Sequence, residues 1–361
     1  MQDIRSHKLA VWAVTPKGAA LADTLAKKLP ESDLFLSETL GSCPAGARQF
    51  SRLSDVVPDV FGAYRGHVFI MAAGIVVRVM APLIRHKTID PAVVVMDELG
   101  RHAVSLLSGH IGGANRLADR VAAAVGAEAV ITTATDLNGL PAIDVLARKK
   151  HLVIENPDAV KFVNAAFLKG RPVGCYDPFD MICAHIPGVR AAGSVREFIR
   201  FFSKPDADAS DRMAGVFIDD ICTGLPPDIL VLRPRSLAAG IGCNRNTPME
   251  EIEALLVQTL HRFQLSSAGL SCIASIDLKS DEAGLVRLAR KHDLPFVTYA
   301  REDLGSVQSI QNPSDIVEKH VGVKSVCEAA AILSAQNGTL IVPKQSTRNV
   351  TVAIARKRSI S

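Results

Sequence analysis

The amino-acid sequence predicts a multidomain α/β fold with mostly parallel sheet, and three observations point to it. Short β-branched runs alternate with Ala/Leu-rich stretches of helical period, the pattern of a βαβα chain. The length of 361 residues exceeds what one core covers, at roughly 150 residues per domain. Hydrophobic residues make up 48% and charged residues 22%, an ordinary globular balance that excludes a disordered chain.

In chain order, residues 9–14 read as the first strand. Thr15-Pro16-Lys17-Gly18 then opens an Ala/Leu/Lys helix that ends near Pro30. Residues 67–72 and 92–96 read as buried strands, 111–125 as a helix, and 129–133 as the strand after it. A first domain, 1–132, closes there. The middle domain, 133–233, is less regular, with a helix at 141–150, a strand at 152–155, a helix at 157–168 and a solvated acidic loop at 204–211. Leu232-Arg233-Pro234-Arg235-Ser236 marks the boundary to the last domain, 234–361. Early in that domain Thr247 is expected to cap a helix, with Pro248 at its first position and Glu250 closing a capping box. Residues 340–342 and 350–354 finish the domain as strands.

Several function classes are excluded by composition. The net charge of +4 is too small for a nucleic-acid footprint, and with 5% aromatics and Trp12 as the sole tryptophan, base-stacking platforms are scarce. Cys43, Cys175, Cys183, Cys222, Cys243, Cys272 and Cys327 form no Cys-x-x-Cys pair, so they read as reduced, mostly small core residues, and a zinc site is unsupported. Apolar runs such as 92–96 fall far short of the ~18–20 residues a membrane span needs. No secretory pattern opens the chain, and a cytoplasmic protein is expected. Charge is unevenly placed. Between Asp59 and Asp90 there is no acid but Arg65, Arg78, Arg85 and Lys87; after Glu328 there is none but Lys344, Arg348, Arg356, Lys357 and Arg358. Such stretches suit a polyanionic ligand, with solvated faces and a basic tail as the alternative.

The most informative segment is Ser108-Gly109-His110-Ile111-Gly112-Gly113-Ala114-Asn115, between an apolar strand and a helix. Its glycines let backbone amides approach a ligand, and the helix start offers N–H groups and a positive dipole end, so an anion such as a carboxylate is expected there. A tight βα turn with glycines for packing alone is the alternative. The spacing fits neither Gly-x-Gly-x-x-Gly nor Gly-x-x-x-x-Gly-Lys-Ser/Thr, which argues against dinucleotides and triphosphates. His110 is the acid–base candidate, because imidazole titrates near neutral pH. Asp97-Glu98 is the other, since parallel strands present their carboxyl ends to a ligand crevice; a polar turn is its alternative. Gly74 opens a second ligand-facing turn, and Thr132-Thr133-Ala134-Thr135-Asp136 an edge of hydroxyls. Cys243 reads as a core residue, and Lys279 with Glu282 as a surface loop.

Together, Gly74-Ile75-Val76-Val77-Arg78, Ala81-Pro82-Leu83, Lys87, Asp90-Pro91-Ala92-Val93-Val94, Asp97-Glu98 and Ser108-Gly109-His110-x-Gly112-Gly113-Ala114-Asn115 resemble the N-terminal domain of the cobalamin-biosynthesis protein CbiG, the cobalt-precorrin-5A hydrolase family. Gly240-Ile241-Gly242-Cys243, Glu250-Glu251-Ile252, Lys279-x-x-Glu282-x-Gly284-Leu285, Gly322-Val323-x-Ser325-Val326-x-Glu328-Ala329-Ala330 and Val350-Thr351-Val352-Ala353-Ile354-Ala355-Arg356 are similar to the domain CbiG shares with CobE proteins. In the middle domain the likeness is confined to Thr135-Asp136 and Ala142-x-Asp144. Cys243-Asn244-Arg245-Asn246 departs from the basic and glycine residues expected there.

The resemblance implies a Rossmann-like N-terminal unit and a CobE-like α/β C-terminal domain. It also implies an activity: cobalt-precorrin-5A, a ring-contracted tetrapyrrole bearing a δ-lactone, takes up water and releases acetaldehyde to give cobalt-precorrin-5B. His110, or Asp97 or Glu98, would supply the base. Gly74, Arg78, Lys87, Ser108, Gly109, Gly112, Gly113 and Asn115 would bind substrate. No protein metal or organic cofactor is expected, because cobalt arrives with the substrate. The expected partners are the cobalt tetrapyrrole and other cobalamin-pathway enzymes that take over the product, with no nucleic acid or membrane. A non-catalytic corrinoid carrier is the competing class, and an NAD- or nucleotide-binding protein lacks its phosphate fingerprint.

Overall fold

Strands β1 (Ser6–Ala13), β2 (Ser32–Ser37), β3 (Arg48–Phe50), β4 (Tyr64–Ile70), β5 (Ala92–Met96), β6 (His102–Leu107) and β7 (Glu128–Val130) form one sheet in the order β3-β2-β1-β4-β5-β6-β7. Pairing is parallel from β3 through β5, antiparallel between β5 and β6, and parallel again between β6 and β7. Helices α1 (Pro16–Lys28), α2 (Leu53–Val60), α3 (Ala73–Met80) and α4 (Ala114–Val125) connect them. The computed structural model describes residues 6–41, 43–86, 89–110, 112–134, 139–140, 142–202, 213–313 and 325–358. They divide into two units, 2–145 and 146–361.

Local chemistry sets several of these elements. All five residues of β5 are buried, as a central strand covered on both faces requires. Thr15 caps α1 by accepting the Gly18 N–H (3.1 Å), with Pro16 in the first turn. The helix expected from residue 111 starts at Ala114 instead, because Gly113 takes φ +90° and cannot continue it; Gly126, at φ +76°, ends it. Strand β7 stops at Val130, short of the expected 133. Buried Trp12 stacks on Phe35 at 4.0 Å, and its indole N–H donates to His67 Nδ1 (3.2 Å) while His67 Nε2 faces the Phe61 carbonyl (3.1 Å). That arrangement fixes a neutral ring protonated on Nε2.

The second unit carries two sheets. Strands β8 (Val153–Ile154), β9 (Val173–Tyr176), β10 (Val189–Ala191), β11 (Ala214–Ile218) and β12 (Leu230–Arg233) run in the order β10-β9-β11-β12-β8, parallel except for β8. This middle sheet is more regular than the sequence suggests, because strands of two to five residues are too short to show a period. Helices α5 (Ile143–Lys149), α6 (Val160–Leu168) and α7 (Val195–Phe201) belong to this stretch of chain. The last sheet, β13 (Leu237–Cys243), β14 (Leu270–Ile276), β15 (Phe296–Tyr299), β16 (Thr339–Ser346) and β17 (Val350–Arg356), has the order β15-β14-β13-β17-β16. Its helices are α8 (Met249–Arg262), α9 (Ala283–Lys291), α10 (Arg301–Gly305) and α11 (Val326–Ser334). A Cβ on Gly240 would lie 1.9 Å from the Cys327 carbonyl oxygen, so α11 rests directly on β13. Buried polar groups join the two sheets. Arg356 and Ser236 bind the Asp220 carboxylate and Ser266 donates to Glu155, while within the middle sheet Arg233 binds Glu155 and the carbonyls of Asp219 and Ile221.

Three expectations are corrected here. The capping box at Thr247 does not form: its hydroxyl donates to the Asn244 carbonyl (2.8 Å), Glu250 pairs with Arg287, and Pro248 stands outside α8. The 244–247 loop is held instead by α9, where a Cβ on Gly284 would meet the Thr247 carbonyl at 2.4 Å. Lys279 and Glu282 are not a surface loop. Glu282 is buried, takes Lys279 at 3.2 Å, and accepts the Asn246 N–H at 2.8 Å. Cys175 and Cys183 are not both reduced; they form a disulfide with Cα atoms 6.2 Å apart. Asp177 brings them together by accepting the N–H groups of Ile182 and Cys183, which folds that turn back beside β9. Lys87, Thr135, Asp136 and the acidic 204–211 loop lie outside the described residues.

Candidate active site

The direction of β6 decides where the expected site residues fall. Val93 pairs with Leu107 and Met96 with Ala103, so β6 ends where β5 begins. The 108–115 turn therefore lies at one edge of the sheet and Asp97-Glu98 at the other. Five residues of strand at about 3.3 Å each separate them by roughly 17 Å of sheet. Gly74 and Arg78, which follow β4, share the Asp97 edge. Ser108, Gly109, His110, Gly112, Gly113 and Asn115 share the other. The residues singled out from the sequence thus form two groups rather than one crevice.

The first edge holds a pocket of about 530 Å³ at the carboxyl ends of β1 and β4, where the strand order reverses. Val14, Met71, Ala72, Ile75 and Val95 make it largely apolar, with Thr15, Asp97 and Glu98 among its walls. Asp97 accepts the N–H groups of Leu99 (3.0 Å), Arg101 (3.0 Å) and His102 (2.8 Å). Burial pushes its pKa up, but these amides outweigh burial and hold it below the ordinary carboxyl value. A carboxylate so engaged organises a turn and is a weak base. Glu98 accepts the Thr15 hydroxyl at 2.8 Å. Gly74 lies in the first turn of α3 beneath the Arg78 guanidinium, whose Nη1 would stand 3.6 Å from an added Cβ.

The second edge is built by the turn itself. Ser108 takes φ +60°, uncommon for a residue with a side chain. The Ser108 carbonyl accepts the Ala114 N–H (3.0 Å) and the Gly109 carbonyl the Asn115 N–H (3.1 Å). The first two amides of α4, expected to face an anion, are therefore used inside the turn. A Cβ on Gly112 would fall 2.1 Å from Ser108 Cβ, and one on Gly109 2.7 Å from Asn115 Oδ1, so closure of the turn demands both glycines. Buried Asn115 accepts the Ser105 hydroxyl (2.7 Å) and donates to Thr133 Oγ1 (2.9 Å), pinning the turn to β6 and to the segment after β7.

On this pinned turn stands His110, partly buried, with Nδ1 3.9 Å from Oδ2 of buried Asp144. Asp144 Oδ1 and Ser108 Oγ are buried without a hydrogen-bond partner among the described residues. Buried polar atoms left unpaired are rare in folded chains and mark sites where something polar is received. Sequence reasoning misses Asp144, whose one signal is its place in Ala142-x-Asp144. Next to the turn, Gly112 and Gly113 line a second pocket, about 270 Å³, with Arg65, Arg116, Arg120 and Glu31. Arg120 pairs with Glu31 and, with Arg65 adding its charge, holds that carboxyl below its usual range. Among the described residues, no helix is long and apolar enough to cross a membrane, and no three or more His, Cys, Asp or Glu are grouped to hold a metal ion.

Fold and turn together define a three-sheet α/β protein with a His–Asp pair beside an arginine-lined pocket. Residues 55–136, 141–234 and 237–355 match family models described as Cobalamin synthesis G N-terminal, Cobalamin biosynthesis central region and Cobalamin synthesis G C-terminus. A Salmonella typhimurium strain LT2 protein named cobalt-precorrin-5A hydrolase is 36% identical over 358 residues, covering 98% of this chain and 99% of its own. A Priestia megaterium protein of the same name is 33% identical over 360 residues, covering 96% and 94%. The crystal structure of CobE, a protein from the cobalamin (vitamin B12) biosynthetic pathway, is 37% identical over 34% of this chain and 89% of CobE, with a TM-score of 0.33. The chain belongs to the CbiG family of cobalamin-synthesis proteins.

Proposed function

We propose that the chain is a hydrolase that converts cobalt-precorrin-5A to cobalt-precorrin-5B and acetaldehyde, with His110 as base. One observation carries the activity: identity of 33–36% along nearly the whole chain to two proteins named cobalt-precorrin-5A hydrolase. The choice of His110 over Asp97 rests on geometry. Asp97 is engaged by three amides, whereas His110 has a buried carboxylate behind its ring and stands on a turn that Asn115 ties to Ser105 and Thr133.

In this reading water adds to the lactone carbonyl carbon while His110 takes one of its protons. Asp144 stabilises the imidazolium, as the carboxylate of a Ser-His-Asp site does. The tetrahedral intermediate expels the ring oxygen, leaving a carboxylic acid arm, which keeps the second proton of the water, and an alkoxide. The alkoxide carbon then becomes the aldehyde carbonyl as its bond to the macrocycle breaks. The freed electron pair passes into the electron-poor macrocycle, which is protonated by His110, and one water is consumed per acetaldehyde released. Cobalt belongs to the substrate, and the reading uses no protein-bound metal or organic cofactor. It includes a cytoplasmic location and delivery of the product to the next enzyme of the route. Incubation of the purified chain with cobalt-precorrin-5A tests it: stoichiometric acetaldehyde supports the hydrolase, and tight binding without acetaldehyde supports a carrier instead.

A further inference from the structure

We infer that the pocket bounded by Arg65, Arg116 and Arg120 is a carboxylate clamp that grips one acidic side arm of the tetrapyrrole and sets the macrocycle against His110. The inference rests on the proposed substrate. Arg116 and Arg120 stand four residues apart on α4 and so share one face, and Arg65 approaches from β4. Three arginines and a single carboxylate, Glu31, line it, and Glu31 is already paired with Arg120. Arg65 and Arg116 make no hydrogen bond or ion pair among the described residues, so two planar forks that match a carboxylate remain available.

Size narrows the ligand. At about 270 Å³ the pocket lies at the small end of the roughly 300–1,000 Å³ of small-molecule sites, which suits one arm of the tetrapyrrole better than its ring. Gly112 and Gly113 form its wall within three residues of His110, which ties the clamp to the catalytic turn. The role the sequence assigned to Arg78 thereby passes to other arginines, since Arg78 stands at the opposite edge of the sheet.

The test compares wild type with Arg65→Gln, Arg116→Gln and the double variant, each shown by circular dichroism to melt as wild type. Binding of cobalt-precorrin-5A is read by calorimetry and turnover by acetaldehyde release on the same samples. The clamp predicts that each single change raises Kd and KM roughly ten-fold with kcat unchanged, and that Arg116→Lys recovers part of the loss. An unchanged Kd in the double variant overturns the clamp, whether or not acetaldehyde is released. A wild type that binds without releasing acetaldehyde sinks the hydrolase reading, yet a raised Kd in the variants still upholds the clamp.

Discussion

Val93 and Leu107 face each other across antiparallel strands, and this one pairing places His110 and Asp97 at opposite edges of the N-terminal sheet. A single bound macrocycle cannot touch both through a covered sheet. Only the His110 edge combines a partly buried imidazole, a buried carboxylate and unpaired buried oxygens.

Asp144→Asn should separate chemistry from binding. The amide keeps shape but cannot stabilise an imidazolium, so kcat is expected to fall at least roughly ten-fold while KM holds. Steady-state acetaldehyde release measures both. Loss confined to KM would assign Asp144 to substrate binding.

The glycine at 112 is required by its neighbour. An alanine there would put its Cβ 2.1 Å from Ser108 Cβ and 2.7 Å from the Ser108 carbonyl oxygen, which forces the turn open. Gly112→Ala should cost about 1–3 kcal/mol of stability and displace His110. Thermal melting and acetaldehyde release should both fall; a variant matching wild type in both would contradict the turn geometry.

Two buried carboxyls should give opposite responses to pH. Glu328 lies in the interior, where burial pushes its pKa up, yet donors from Lys344, Asn312 and Gln311 bring it below the ordinary value. Its stabilising contribution is complete above the unfolded pKa of about 4.3 and is lost as pH falls through the lower folded value. Glu328→Gln should therefore lower Tm at pH 7, with the gap to wild type closing in acid. In Asp219, burial and then the Asp220 charge raise the pKa. That group favours folding below its unfolded pKa of about 3.9, and the benefit disappears as pH rises through the folded value. Asp219→Asn should raise Tm at pH 7 and converge on wild type toward pH 4. Melting curves from pH 4 to 8 check both signs.

Much of this was legible in the chain. The Thr15-Pro16 start of α1 and the apolar run of β5 are local signals that tertiary structure leaves intact. What escaped depends on distant residues. The expected cap at Thr247 loses to Glu282, which takes the Asn246 amide from 36 positions away. The 175–183 disulfide needs the Asp177 turn to close it. The reversal of β6 did carry a signal. Only Asp97-Glu98-Leu99-Gly100-Arg101 separates two apolar runs, with Gly100 at φ +67°, and that is too short for the crossover a parallel pair requires. That hairpin alone puts Asp97 and His110 at different edges of the sheet.

The most direct measurement is acetaldehyde release from cobalt-precorrin-5A by wild type, His110→Ala and Glu98→Gln side by side. Placement of the chemistry at the 108–115 turn predicts stoichiometric release by wild type and by Glu98→Gln, and a fall of roughly a hundred-fold or more in His110→Ala. Release by His110→Ala at the wild-type rate, with Glu98→Gln inactive, would move the reaction to the opposite edge of the sheet and contradict the account.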